Sequence, residues 1–398
     1  MAESLAYRQL SGPPTRFWAL LAALAVLLAL GATAYFYMEH NGHIVTGMDN
    51  QIVWGMPHVF AVFMIVAASG ALNVASTASV FGKTAYKPIA PLSALLAVSL
   101  LVGGLTVLVL DLGRSDRLIV AMTHYNFKSI FTLNVFLYNG FIIFCAAYLW
   151  TMLERRMNRY AKVVGMGAFI WRLMLTTGTG SIFGFLVARQ AYDTAILAPM
   201  FVVFSFAYGT AIFILILLAA CRWDEQPIAD ALLARLKNLL GVFVAASLYF
   251  VTVYHLTKLY MTRYDDLERF ILVDGGVYTL LFWGGQVVLG GILPLILLFH
   301  PRTPRRGIVA ACALVALGGL AQMYVTIIGG QAYPQILFPG MIESSSFFDG
   351  AIHPYTPSLP EVLLGLGGMA LAATIVAVAL RALALLPARL DQVAGSQA

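Results

Sequence analysis

Charge is what this 398-residue chain has least of: Asp, Glu, Lys and Arg make up 11% of it, against 61% apolar residues. No Asp or Glu falls near the centre of a long apolar run, so the sequence lacks the mid-membrane carboxylates usual in ion-driven transporters and proton pumps. Cysteine is nearly absent as well. Cys145, Cys221 and Cys312 lie singly in or at the end of apolar stretches, with no CxxC or metal-ligand spacing, so no iron–sulfur cluster is encoded here. Of the seven histidines, only His58 and His255 fall inside apolar runs, both near the same face, while His300 marks the opposite end of another. That leaves room for at most one haem b with axial ligands from two helices. The net charge of +6 lies mostly in loops, which suits anionic lipid headgroups and needs no nucleic acid.

The chain instead contains about ten apolar segments, near 17–38, 52–80, 88–111, 129–153, 163–188, 195–221, 237–257, 277–300, 307–330 and 361–386. Each approaches or exceeds the ~20 residues that a 30 Å hydrocarbon core requires. The pattern predicts an all-α integral membrane protein, a single polytopic domain over 1–398. Ten crossings place both termini on one side. That side carries 16 of the Lys and Arg residues and the other carries 7, with Arg172 inside a span. The bias makes the basic side cytoplasmic and predicts an N-in, C-in protein of a bacterial inner membrane.

On this reading 1–16 and 387–398 are cytoplasmic segments, and the first apolar stretch is a retained helix rather than a cleaved signal. The outer connection over 331–360 has no Lys or Arg and is rich in Pro, Gly and aromatics, which suits a lid or docking surface. Arg172 must find a partner, a carbonyl or a route to the interface. The small polar run 176–181 and the paired glycines predict close helix packing.

Polar, chemically useful residues gather at the outer ends of spans two to four. His58 follows Trp54, Gly55 and Pro57, about two turns below the expected start of span two. Asp111 and Arg114 lie where span three exits, and the returning loop supplies Thr123, His124, Tyr125, Asn126 and Lys128. Such a cluster offers what a quinone requires: donors and acceptors for two ring oxygens, an apolar slot for the tail, and titratable groups that exchange protons with water. Histidine titrates near neutrality and a partly desolvated Asp can be tuned toward it. The bland readings are an interfacial His with an ordinary hydrogen bond and an Asp111–Arg114 ion pair that closes a tight turn.

At Trp54–Gly55, at Leu110–Arg114, at His124–Ser129 and at the Gly329–Gln331 turn, the chain resembles the NrfD/PsrC family of membrane subunits, in its longer, HybB-like ten-helix branch. The stretches from Ile52 to Thr77 and from Thr123 to Phe131 are most similar to the DsrP group, found in the Dsr sulfur-metabolism transmembrane complex. The resemblance implies two four-helix bundles with flanking helices and a quinone site, menaquinone or ubiquinone, near the periplasmic face. It implies no haem or cluster in the subunit itself. It also implies a periplasmic ferredoxin-like [4Fe–4S] partner and, in a DsrP setting, a multihaem cytochrome c, a haem b membrane subunit and a cytoplasmic iron–sulfur subunit. Carried over, the site residues are Trp54, His58, Asp111, Arg114, His124 and Asn126. His58, Asp111 and His124 would handle protons, and Arg114 would keep Asp111 ionised or steady charge on the ring. The chain departs from its relatives at the Thr179 region, Gln322, Lys258 and Gln286, which favours local proton exchange over translocation. The competing expectations are a structural anchor without a quinone site, a haem b cytochrome and a secondary transporter.

Overall fold

A computed structural model describes residues 6–335, 338, 340, 341 and 350–388. Of the loop predicted over 331–360, residues 336, 337, 339 and 342–349 lie outside the described residues, as do 1–5 and 389–398 at the two ends.

Among the described residues, ten long helices build the fold: α1 (Pro14–Asn41), α2 (Met56–Ser79), α3 (Thr84–Leu110), α4 (Ile130–Leu153), α5 (Ala161–Gly184), α6 (Leu197–Trp223), α7 (Asp230–Leu259), α8 (Val277–Phe299), α9 (Arg305–Ala332) and α10 (Leu359–Ala382). Nine of them are long and apolar enough to cross a bilayer. The other, α5, is long enough at 24 residues, but Arg172 and the polar run 176–181 lower its hydropathy. The chain ends settle its course. Strands β1 (Tyr7–Arg8) and β2 (Leu386–Pro387) pair antiparallel, and the Arg381 guanidinium donates to the Leu10 carbonyl at 2.9 Å. With both ends on one face the number of crossings is even, so α5 crosses too.

Helices α2–α5 pack as one four-helix bundle and α6–α9 as a second, while α1 lies on α10, which packs against α2 and α3. Helix α2 is the central element, with 94% of its apolar window buried by protein. The bundles meet where α2 crosses α6. A Cβ on Gly70 would stand 1.5 Å from the Ser205 carbonyl oxygen, and one on Gly209 would stand 2.2 Å from the Ala71 nitrogen. Glycine lets the two backbones touch, and any side chain there would push the bundles apart.

Helix α2 is interrupted for one residue at Leu72. Arg172 lies beside that break, only 1% exposed, and donates to the Ser69 carbonyl at 3.1 Å and to Asn73 Oδ1 at 3.0 Å. Its guanidinium lies between the rings of Phe169 and Phe206, at 5.0 and 5.1 Å. This charge therefore faces protein, not lipid, and is stabilised by neutral oxygens and aromatic faces.

Candidate functional site

The face opposite the chain ends collects the start of α2, the end of α3 and the start of α4. Before α2, Asp49 Oδ1 accepts hydrogen bonds from the Gln51 and Ile52 amides, both at 2.7 Å, and folds residues 49–52 into a turn. Burial opposes ionisation of this carboxyl, but the bonds from Ile52, His353 and Gln51 outweigh it and hold Asp49 below its ordinary value. Helix α2 then begins at Met56, with Pro57 in its first turn. His58 consequently lies in the first turn, not two turns deep as the apolar pattern predicts, because the turn takes up the residues preceding the helix.

Four remote side chains hold this entry. Gln331, 1% exposed, accepts at Oε1 from the Val53 and Trp54 amides at 3.0 and 3.1 Å, and donates from Nε2 to the Trp54 and Ile327 carbonyls at 3.0 and 2.8 Å. Arg189 ties the same corner, donating to the carbonyls of Gln331 and Gln51 at 3.0 and 2.7 Å. Glu361, fully buried, accepts from the Gly47 and Ser358 amides and from the Tyr355 hydroxyl, at 2.9, 2.8 and 2.7 Å. The Tyr355 oxygen in turn accepts from the Met56 amide at 2.7 Å. Burial first, and then the Glu361 charge, raise the Tyr355 pKa well above its ordinary value, so the phenol keeps the proton it donates. Gly55 is required here, since a Cβ would stand 2.3 Å from Glu361 Oε1.

The rigid entry presents Trp54 and His58 to a cavity of about 430 Å³ within the first bundle. The Trp54 indole stacks over the His58 ring, with centroids 6.1 Å apart, and meets Phe183 edge-on at 5.6 Å. The lining is mostly apolar, with Val62, Ile65, Leu105, Leu108, Phe131 and Ile182 among its walls, and Thr132, Tyr138, Asn139 and Thr179 supply a few polar groups. Ile327, from the second bundle, closes one side. The volume lies within the ~300–1,000 Å³ usual for small-molecule sites.

His58 Nδ1 stands 2.8 Å from Asp111 Oδ2, and the Asp111 side chain is fully buried behind the imidazole. The contact is close, but its angles fall outside hydrogen-bond geometry. Neither Asp111 oxygen has another hydrogen-bond partner among the described residues. The pair thus joins the end of α3 to the start of α2 as a close polar contact with capacity to spare.

The structure brings Trp54, His58 and Asp111 together and places the other three candidates elsewhere. Arg114 pairs with Asp116, at 3.0 and 2.9 Å, rather than with Asp111. His124 is exposed and contacts the hydroxyl of its neighbour Thr123 at 3.1 Å. Asn126 is exposed, and its Oδ1 accepts from the Lys128 amide at 2.9 Å in a local turn. Leu112, Leu118, Ala121 and Met122 are what this hairpin contributes to the cavity.

Sequence reasoning passed over Gln331's contact with Trp54, the Glu361–Tyr355 pair and the wall residues of α4. Glu361 left a local signal, as the fourth residue of a Ser358–Glu361 helix-start pattern, and Gln331 stood in the Gly329–Gln331 turn without pointing to Trp54.

Residues 44–335 match the family described as Polysulphide reductase, NrfD. The chain is 28% identical to the Hdr-like menaquinol oxidoreductase integral membrane subunit of Archaeoglobus fulgidus, over 96% of this chain and 97% of that one. It is 27% identical to a putative dimethyl sulfoxide reductase membrane subunit of Halobacterium salinarum, over 92% and 91% of the two chains. With a selenate reductase subunit of Mesobacillus selenatarsenatis it shares 20% identity, over 85% and 87%. The matched region runs from the segment before α2 to the Gln331 corner and so contains both bundles and the cavity; the chain belongs to the NrfD family.

Proposed function

We propose that this chain is the quinone-reactive membrane subunit of a multisubunit redox complex, exchanging electrons between the quinone pool and a periplasmic iron–sulfur partner. The observation that carries the reading is the apolar cavity of about 430 Å³ with the His58–Asp111 pair at its polar end. A flat ring with an isoprenoid tail fits such a lining, and the His58 imidazole, which lines the cavity, can offer an N–H to a ring oxygen. A bound quinone supplies two-electron, two-proton redox chemistry.

The chain's own residues do the rest. Trp54 and Phe183, packed edge-on, give the cavity one aromatic wall for the ring to lie against. His58 faces Asp111 through Nδ1, which leaves Nε2 to give or take a proton at a ring oxygen. Asp111 backs the imidazole, as a buried carboxylate does behind a catalytic histidine. Arg114, His124 and Asn126 remain candidates for the outer rim, reached by movement of the exposed hairpin that carries them.

The count of 16 against 7 basic residues supports a periplasmic location for this face. A ferredoxin-like [4Fe–4S] subunit over the same face would put its nearest cluster within reach of the cavity mouth. The name of the Archaeoglobus relative supports menaquinone, and the DsrP-like wording of α2 supports dissimilatory sulfur metabolism. In that setting the complex also includes a multihaem cytochrome c, a haem b subunit and a cytoplasmic iron–sulfur subunit.

The test is quinol-dependent reduction of the cluster-bearing partner in membranes carrying wild-type, His58→Ala or Asp111→Asn protein, with assembly checked in parallel. Electron transfer should fall at least tenfold in assembled His58→Ala complexes. Wild-type rates in both variants would leave the chain as a structural anchor.

A further inference from the structure

A second polar group lies inside the α6–α9 bundle, apart from the cavity just described. His255 Nδ1 is 2.6 Å from Glu268 Oε2, and the Glu268 side chain is 1% exposed. Nearby, Gln286 and Gln322 are each 6% exposed. Gln322 donates to Thr326 Oγ1 at 2.9 Å, but neither the oxygen nor the nitrogen of the Gln286 amide has a partner among the described residues. Buried amides are rarely left this way.

Two adjoining voids of about 30 Å³ each share Gln286 and Gln322 in their walls. Each exceeds the ~10–15 Å³ of free space that an ordered water needs. The first also touches His255, Glu268 and Thr326; the second, one step deeper, touches Ser247 and Tyr208. The backbone is unusual at the same place. Three stretches wind as π-helix, Phe270–Asp274, Leu281–Ile292 and Val325–Gly329, and all three contribute to the first void through Ile271, Gln286 and Thr326. Wide turns of this kind recur at functional sites.

The open amide identifies the occupant. A metal ion would satisfy Gln286 Oε1 and leave its NH2 group facing a positive charge, whereas water donates to the one and accepts from the other. We propose that these voids hold ordered water joining Gln286 to the His255–Glu268 pair, and that the pair takes up one proton from the face opposite the chain ends. On uptake the pair passes from neutral imidazole with carboxylate, one net negative charge, to a net-neutral pair.

The charged groups around it are already engaged. Lys258, three residues along α7, donates to the Gln190 carbonyl and lies 4.0 Å above the Tyr264 ring. Arg263 pairs with Asp193, and Arg269 with Asp274. Tyr254 donates to the Ala191 carbonyl at 2.5 Å. Tyr278 and Tyr324, whose rings stand 6.0 Å apart, are the remaining titratable neighbours from α8 and α9. The deeper void is walled by no carboxylate, histidine, lysine or arginine among the described residues. The proton therefore rests on the His255–Glu268 pair and not deeper in the bundle.

Met200 reports on the water. It lines the first void, yet is 2% exposed; Met64, 1% exposed, lines neither void. Radiolytic hydroxyl-radical labelling of the complex in membranes should oxidise Met200 and spare Met64, and Gln286→Leu should cut Met200 labelling at least tenfold. In parallel, pH-difference infrared spectra in H2O and D2O should contain a carboxyl band that Glu268→Gln removes and His58→Ala leaves in place. Met200 as inert as Met64 in the wild type would show a dry site, and a spectrum unchanged by Glu268→Gln would show that the pair holds no exchangeable proton. Neither outcome bears on the quinone cavity, which His58→Ala tests separately.

Discussion

Gln331→Leu removes a side chain of nearly the same size from a site 1% exposed, and with it every bond of the amide that clamps Trp54. Four bonds are lost; the Val53 and Trp54 amides and the Trp54 carbonyl lose their partner, while the Ile327 carbonyl keeps the Tyr192 hydroxyl at 2.6 Å. At about 1 kcal/mol net per bond the total is roughly 4 kcal/mol. Val53 is half exposed, so water replaces part of that loss, and about 2–3 kcal/mol remains. Local opening of the corner should rise by about 30- to 150-fold, since each ~1.4 kcal/mol is tenfold. Hydrogen exchange resolved at residues 53–56 measures this. The Val53 and Trp54 amides should exchange faster by that factor, while the Met56 amide, held by Tyr355, changes much less. Cavity ligands should bind more weakly as the Trp54 ring loses its fixed position over His58. Less than a threefold change at Val53 and Trp54 would refute the reasoning, because the clamp would then be redundant with the Arg189 contacts.

Glu361→Ala should destabilise the chain by about 3 kcal/mol or more, read as lower accumulation and faster thermal inactivation, since three donors lose a buried carboxylate. Tyr355→Phe should cost about 1–2 kcal/mol in the same assay, by leaving the Met56 amide without its acceptor. Arg172→Lys should destabilise more than an exposed Arg→Lys change such as at Arg114, because a single ammonium cannot reproduce the forked contact to Ser69 and Asn73; paired melting curves check it. Asp49 has a lowered folded pKa, so its contribution is present above the ordinary aspartate range and is lost as pH falls through the depressed value. Trp54 emission, isolated by subtracting a Trp54→Phe variant, should therefore stay constant through mild acid and change only below that range.

The spans were legible because a chain solvated by lipid must write its crossings as long apolar runs, and even α5 stands where its weaker run predicts. The bundle pairing and flanking helices follow the family resemblance. Within the site, His58 and Asp111 could be read because each stands alone at the end of an apolar run, and only one face was open to both. The hairpin over 112–129 was less legible. Arg114 and Asn126 have partners two residues away, and such local bonds compete with the long-range ones that a cluster in sequence suggests. Gln331 and Glu361 escaped for the opposite reason: their partners lie about 280 and 310 residues off, at distances no spacing rule covers. The π-helical turns around Gln286 left no trace in a pattern read at 3.6 residues per turn.

The most direct test of the central claim is photoaffinity labelling of the complex in membranes with an azido-quinone, followed by peptide mapping. The account predicts label on peptides that wall the cavity, from Trp54 through the start of α2 to Ile65 and from Phe131 to Asn139 in α4, with Asp111→Asn and His58→Ala reducing it. Label confined to the second bundle or to the lipid-facing side of α1, unchanged in both variants, would contradict it.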